Sequence, residues 1–233
     1  MKDRLGEELT IDDMARSAMF SKFHFSRMFH QATGVSPGRF LSAMRLAEAK
    51  RLLLATSITV TDISHRVGYN SVGTFSTRFS SRVGVSPSTY RRLGGVAPVV
   101  PVDEVDVPVT ERGTDVRGHI IAPENTSIGL VFVGLFRGRI TEGPPVRSAV
   151  LDGPDSFVLR NVPEGSWYLV AHCPDGAPYV GHLGPITTRP GTVARMVDLR
   201  LRPTRPFDPP VLLALPDLRT GFHPAHEPVA IAA

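Results

Sequence analysis

One stretch of the chain occurs twice. Residues 9–40 recur as 58–90. Thr10-Ile-Asp-Asp13 matches Thr59-Val-Thr-Asp62 at an offset of 49. After a one-residue slip, Phe25-Ser26, Phe29 and Gly34-Val-Ser-Pro37 match Phe75-Ser76, Phe79 and Gly84-Val-Ser-Pro87 at an offset of 50. Four consecutive identities with aromatics in register are not a chance event. This half of the chain is one supersecondary unit used twice.

Each copy can be read locally. Thr10 with Asp13, and Thr59 with Asp62, pair a hydroxyl N-cap with an acid three residues on. Ile11, Met14, Ala15 and Ala18, and in the second copy Val60, Ile63 and Val67, follow helical spacing. After a short turn, Ser21 or Ser71 caps a second helix. Its buried stripe is expected to be Phe25, Met28, Phe29 and Ala32 in the first copy and Phe75 and Phe79 in the second. Gly34 and Gly84 suit the left-handed position just past a helix end. Ser36-Pro37 and Ser86-Pro87 are cap and first-position pairs that start the next helix. The pattern is helix-turn-helix, twice. Between the copies, Pro37 to about Ala55 reads as one unbroken helix. Its 19 residues span about 28 Å, against about 34 Å between successive major-groove faces of DNA.

Charge and proline divide the 233-residue chain. Residues 1–93 carry a net charge of +7 and the remainder −3, and 19 of the 21 prolines follow residue 93. A basic, proline-poor half is drawn to polyanions; the proline-rich half reads as strands and turns. The boundary falls near Arg92–Val105, after Gly94-Gly95. The first ten residues lack the apolar segment of a secretory leader, and the apolar run 130–136 is too short to cross a bilayer. One cysteine, Cys173, excludes an internal disulfide framework. A soluble, cytoplasmic protein without membrane, metal or cofactor is expected.

At Leu9-Thr-Ile-Asp-Asp-Met-Ala15, Phe23-His-Phe-Ser-Arg-Met-Phe29, Gly34-Val-Ser-Pro37, Val67-Gly-Tyr69, Phe75-Ser-Thr-Arg-Phe79 and Gly84-Val-Ser-Pro-Ser-Thr-Tyr-Arg-Arg92, the chain resembles the AraC/XylS family of bacterial transcription regulators. The resemblance covers about residues 9–93 and implies binding of double-stranded DNA by both units in successive major grooves. Three features depart from the family pattern. Members carry another helix ahead of the first unit, where eight residues stand here. Met19 occupies a turn position that is usually glycine and is Gly68 in the second copy. The additional domain follows the DNA-binding unit instead of preceding it. The first unit is therefore expected to be the less stable.

On the first recognition helix the face opposite Phe25 and Phe29 carries Phe23, Ser26, Arg27 and His30, spaced to enter one groove. Arg27 can donate two hydrogen bonds to guanine, Ser26 can meet either base type, and Phe23 can lie on a thymine methyl. Lys22 and His24, at the helix start, suit phosphate or the groove edge. The second helix offers Ser71, Val72, Gly73, Ser76 and Thr77, a small and weakly polar face. Arg78 aligns with Met28, read as buried, and is expected to reach for the phosphate backbone. Arg91 and Arg92 are further phosphate candidates.

In the second half Val116, Gly118 and Ile120 alternate with Arg117, His119 and Ile121. Residues 127–136 suit a buried strand. Phe157 and Leu159 alternate before the turn 161–165 and Trp167, Leu169 and Ala171. Val197, Leu199 and Leu201 alternate with Asp198, Arg200 and Arg202. The expected fold is thus multidomain α and β: an N-terminal all-α double helix-turn-helix domain (1–93), a linker (94–104), a C-terminal antiparallel β-sandwich (105–202) able to fold alone, and a Pro-rich tail (203–233). The stretch 157–171 after Val116-Arg-Gly118 loosely resembles carboxypeptidase-regulatory or transthyretin-like sandwich modules. In the tail, Val211–Leu215 is an edge-strand candidate, and His223 and His226 read as incidental.

No catalytic constellation emerges. His172 and Cys173, adjacent on a strand, point to opposite faces, and Cys173 reads as a small core hydrophobe. The expected function is a sequence-specific DNA-binding transcription regulator. Its sandwich would bind a small-molecule effector, self-associate as a homodimer or dock a partner. The competing readings are a DNA-targeted repair or modifying enzyme using Cys173, and a non-specific architectural DNA-binding protein.

Overall fold

The computed structural model describes residues 4–97, 113–173, 178–189 and 195–215. The stretch 98–112, which holds most of the expected linker, and 216–233, with His223 and His226, lie outside them.

Six helices form the first half: α1 (Ile11–Ser17), α2 (Lys22–Thr33), α3 (Pro37–Ala55), α4 (Val60–Arg66), α5 (Val72–Val83) and α6 (Pro87–Arg92). The repeat is exact in its bounds. α1 and α4 are offset by 49 residues, α2 and α5 by 50, so the slip lies in the turn between the paired helices. The expected caps are in place. Thr10, Ser21, Ser36, Thr59, Ser71 and Ser86 each accept the backbone N–H three residues on, supplying acceptors for otherwise unpaired first-turn donors. Gly34 and Gly84 close α2 and α5 at φ 75° and 93°. Met19, in the first turn, is also left-handed at φ 57°, where the second copy has Gly68 at φ 83°.

α3 is the spine. Phe40, Ala43, Leu46, Ala49 and Leu53 recur every three or four residues and are buried among Ile63, Val67, Phe75, Phe79, Val83 and Tyr90 of the second unit. The first unit is thinner. Phe75, Phe79 and Val83 of α5 are fully buried, whereas Thr33 is the one buried residue of α2. The expected stripe on α2 is corrected accordingly. Phe25 and Phe29 are half-buried, but Ala32 is exposed and Met28 is 43% exposed. A small satellite cluster of Leu5, Met14 and Leu41 backs this unit. Arg45 of α3 pins the preceding segment by donating to the Leu5 and Glu7 carbonyls at 3.0 and 2.7 Å.

Among the described residues, the second half contains two sheets. β1 (Thr114–Ile121), β4 (Ser156–Val162) and β7 (Arg195–Arg200) form a three-stranded sheet in the order β4-β1-β7. β2 (Leu130–Phe136), β3 (Arg147–Asp152), β5 (Gly165–Cys173), β6 (Tyr179–Thr188) and β8 (Arg202–Pro203) form a five-stranded one in the order β3-β2-β5-β6-β8. Val116, Phe157, Leu159 and Leu199 face Val133, Leu135, Trp167, Leu169 and Ala171 in one core between the sheets. The pairing is antiparallel except between β1 and β7, which run parallel from Val116↔Arg195 to Ile121↔Arg200.

The halves meet along a seam in which residues 211–215 are the middle layer. Successive side chains here turn to opposite sides. Leu212 and Ala214 therefore enter the helical core, while Leu213 and Leu215 lie on Phe132, Phe136, Val170 and Val180 of the five-stranded sheet's outer face. Val211 bridges Thr141 in parallel, Ala214 N donates to Val83 O at 2.9 Å, and Ala97 N donates to Leu215 O at 2.8 Å. Lys50 of α3 donates to the Val211 and Leu212 carbonyls at 3.1 and 2.9 Å. The stretch 203–215 is thus anchored and not a free tail. A fragment ending at residue 202 would leave Phe132, Phe136, Val170 and Val180 uncovered, so the independent folding expected of 105–202 loses its physical basis.

Two outcomes follow from this packing. Met19 is 92% exposed and left-handed, so Met19→Gly removes backbone strain without losing contacts. It should raise stability by about 1 kcal/mol in denaturant titration; an unchanged or lower midpoint would show that the turn is unstrained. On the sheet face behind the seam, the Nδ1 of His172 is buried and unpaired. Burial first, then the nearby Lys50 ammonium and His182, push His172 down from 6.5 to about 4. Its folded value lies below its unfolded one, so the unfolded chain takes the proton first. Stability should be full above pH 6.5, fall as pH drops toward 4, and lose about 3 kcal/mol in total from this group. Denaturation midpoints at pH 7.5 and 4.5 should differ less in His172→Gln than in the parent protein. Equal differences would exclude His172 as a source of the acid sensitivity.

Candidate nucleic-acid interface

α2 and α5 are the second helices of their units. Each turns its apolar side inward, and each leaves its other side open. On α2, Phe23 is 87% exposed although it is a large aromatic. Arg27, four residues on, and His30, seven on, share that face and are exposed, with Ser26 half-buried beside them. Among the described residues, no hydrogen bond or ion pair engages the Arg27 guanidinium. An unshielded phenyl ring beside an unengaged guanidinium is a poor solvent surface and a good base-edge surface, because one can cover a thymine methyl and the other can fork onto guanine.

The start of α2 is more structured than spacing alone suggests. Lys22 Nζ donates to Asp12 Oδ2 of α1 at 3.0 Å, with both side chains about half exposed. An exposed pair of this kind contributes little to stability, and the lysine remains able to exchange its carboxylate for a phosphate. The His24 ring packs against Phe20 at 4.7 Å between centroids, tilted by 57°. Asp12 was not legible as part of this surface, since it pairs across the turn and not along a helix period.

On α5 the corresponding face is Ser71, Val72, Gly73, Ser76 and Thr77. Ser71 is committed to capping Thr74 N at 3.4 Å, Val72 is 39% exposed, and Gly73 and Thr77 are exposed with Ser76 half-buried. A Cβ at Gly73 would meet only Ser71 Oγ, at 3.7 Å, so glycine here keeps the helix surface low where it faces outward. Arg78 is exposed and its guanidinium lies 6.0 Å from the Tyr69 ring centroid. Its α2 counterpart Met28 is itself exposed, so the burial assumed for that pair is corrected.

Arg91 is not a phosphate ligand in this fold. It is turned inward and donates to the Leu53, Thr56 and Ile58 carbonyls at 3.1, 3.4 and 2.7 Å, joining α6 to the end of α3. Arg92, next to it, is exposed. A guanidinium that satisfies three carbonyls cannot be read from sequence, where Arg91 and Arg92 look alike.

The two faces differ in kind: cationic and aromatic on α2, small and nearly neutral on α5. A six-helix frame with two such units on one 19-residue spine defines a double helix-turn-helix nucleic-acid-binding domain. A family profile described as a helix-turn-helix domain matches residues 14–93. The activator AarP of Providencia stuartii is 32% identical over 91 residues, which are 39% of this chain and 67% of AarP. The regulator Rob of Salmonella typhimurium is 30% identical over 113 residues, 46% of this chain and 39% of Rob. Among solved structures, the C-terminal domain of AraT, a response regulator from Geobacillus stearothermophilus, is 35% identical with a TM-score of 0.38, covering 40% of this chain and 77% of that one. The protein belongs to the AraC/XylS family. The matched stretch is two thirds of AarP but only 30–39% of several longer relatives.

The two cations of α2 should separate by experiment. Arg27→Ala should lose about 1–3 kcal/mol on a preferred duplex and blur selectivity at one or two base positions. Lys22→Ala should weaken all sequences alike and flatten the salt dependence by about one unit of slope. Titration of both variants against specific and scrambled duplexes at several salt concentrations reads the difference. Equal loss on both duplexes for Arg27→Ala would make Arg27 a phosphate clamp.

Proposed function

We propose that the protein is a transcription regulator that binds double-stranded DNA sequence-specifically, with α2 and α5 of one chain in adjacent major grooves. The observation that carries this reading is the pair of exposed, chemically unlike helix faces held on a single spine. The twelve residues Lys22, Phe23, His24, Ser26, Arg27, His30, Ser71, Val72, Gly73, Ser76, Thr77 and Arg78 are assigned to the interface on this basis. α2 specifies guanine and thymine by direct contact, while α5 selects by close fit and methyl contact. The β half, 105–202, serves effector binding, self-association or partner docking.

The enzymatic alternative is disfavoured by the position of Cys173. It is 1% exposed between the two sheets, while His172 faces the opposite side of β5. A nucleophile must reach its substrate, and this sulfur is walled off by Leu169, Ala171 and their neighbours. No helix among the described residues is long and apolar enough to cross a membrane. We place the protein's action in the cytoplasm at the nucleoid, because that is where its proposed ligand is.

Selection of bound sequences from a random DNA pool tests the reading. The expected product is a tandem, non-palindromic site of about 20 base pairs, since two unlike readers occupy one chain. A short palindrome with one half-site per chain would contradict it, and enrichment of no sequence would favour a purely architectural role.

A further inference from the structure

The segment between β2 and β3 runs past the C-terminal ends of both recognition helices. Arg139 stands at the end of α2. Its guanidinium lies 5.7 Å from the Tyr168 ring centroid, and its side chain lies so close over Gly34 that a Cβ there would collide with it. Ile140, fully buried, enters the helical core with Val35 and Val83. Gly143 N donates to Arg82 O in the last turn of α5 at 2.8 Å. Between these points Glu142, whose side chain is 16% exposed, accepts from Arg39 Nη2 at 2.8 Å and from Arg82 Nη1 at 2.9 Å. Arg39 belongs to the first turn of α3, directly after the first unit, and Arg82 to the last turn of α5 in the second. One carboxylate from the β half therefore joins the start of the spine, next to the first unit, to the end of the second unit through two charge-assisted hydrogen bonds.

We propose that Glu142 is a positioning residue for DNA recognition: by tying Arg39 to Arg82 it fixes the relative pose of the two recognition helices and so sets the half-site spacing the protein accepts. The proposal rests on the two-reader interface described above. Half-site separation is a geometric property of two readers on one frame; apolar packing holds α5 to the spine as far as Val83, and charge-assisted bonds at its far end add direction to that non-directional packing. The Glu142 tie acts at that far end. It does not touch DNA, so its effect falls on spacing and not on base preference. It also makes the β half a determinant of which sites are bound, since Glu142 is carried by the β2–β3 connection.

The test uses the full chain, the tandem duplex obtained by selection, and versions of it with one base pair added to or removed from the spacer. Glu142→Gln removes the carboxylate charge. Arg82→Gln breaks the same tie from the other side while leaving Glu142 paired with Arg39, and so guards against a folding defect in the first variant. Fluorescence anisotropy should show both variants losing about 5- to 10-fold of the discrimination between native and altered spacing. Affinity for a duplex carrying the first half-site alone should be unchanged. Spacing discrimination equal to the parent in a folded variant would overturn the proposal, as would a parallel loss on the single half-site. A parent protein indifferent to both half-sites would overturn the two-reader interface and the tie together.

Discussion

The alternation of five residues organises this molecule. From Val211 to Leu215 the chain is apolar on both sides, so neither side can be left in water. It is accommodated by being placed between two partners, the helical core on the side of Leu212 and Ala214 and the outer face of the five-stranded sheet on the side of Leu213 and Leu215. Its backbone is satisfied by both halves as well, through Val83, Ala97, Thr141 and the Lys50 ammonium. A layer that each half needs for its own burial turns two domains in sequence into one body in space.

That coupling gives the arrangement of the DNA-binding surface its physical logic. The recognition faces themselves are local products: a serine cap, an inward aromatic pair and an outward set of polar residues. What is not local is their mutual orientation. α3 supplies the distance, the second unit packs firmly against it, and the first unit sits on a thinner layer. The β half reaches the ends of both recognition helices at Arg139 over Gly34 and at Glu142 and Gly143 beside Arg82. The stability of the sheet face and the geometry of the readers therefore share one interface, and acid, truncation or a ligand that disturbs the seam would disturb both.

Features set by neighbours in sequence were legible in advance. The six serine and threonine caps, the two glycine C-caps, the 19-residue spine and the strands around Val116, Leu130, Phe157, Trp167 and Val197 all follow from local patterns. Features set by partners far along the chain were not. β3 is half-buried on both faces and lacks clean alternation, and β6 is interrupted by Gly181, Gly184 and Pro185. Val211–Leu215 read as an edge strand because a two-faced apolar strand and an edge strand look the same without their partners. Met28 falls inward by helical period, but too little structure lies beside α2 to bury it. For the interface itself, residue type and helix face could be read from sequence. The Lys22–Asp12 pair and the inward turn of Arg91 could not, because each depends on which elements meet.

In the proposed mode of binding, the pose of the two readers is preset in the free protein. Gln31 and Ser81 occupy equivalent, exposed positions on α2 and α5, and Cys173 is buried, so spin labels on Gln31→Cys and Ser81→Cys report the distance between the readers. The expected result of pulsed electron spin resonance is one narrow distance distribution, the same in the free protein and on its tandem duplex. A broad distribution in the free protein that narrows or shifts on DNA would contradict it, because the pose would then be imposed by the DNA and not built into the fold.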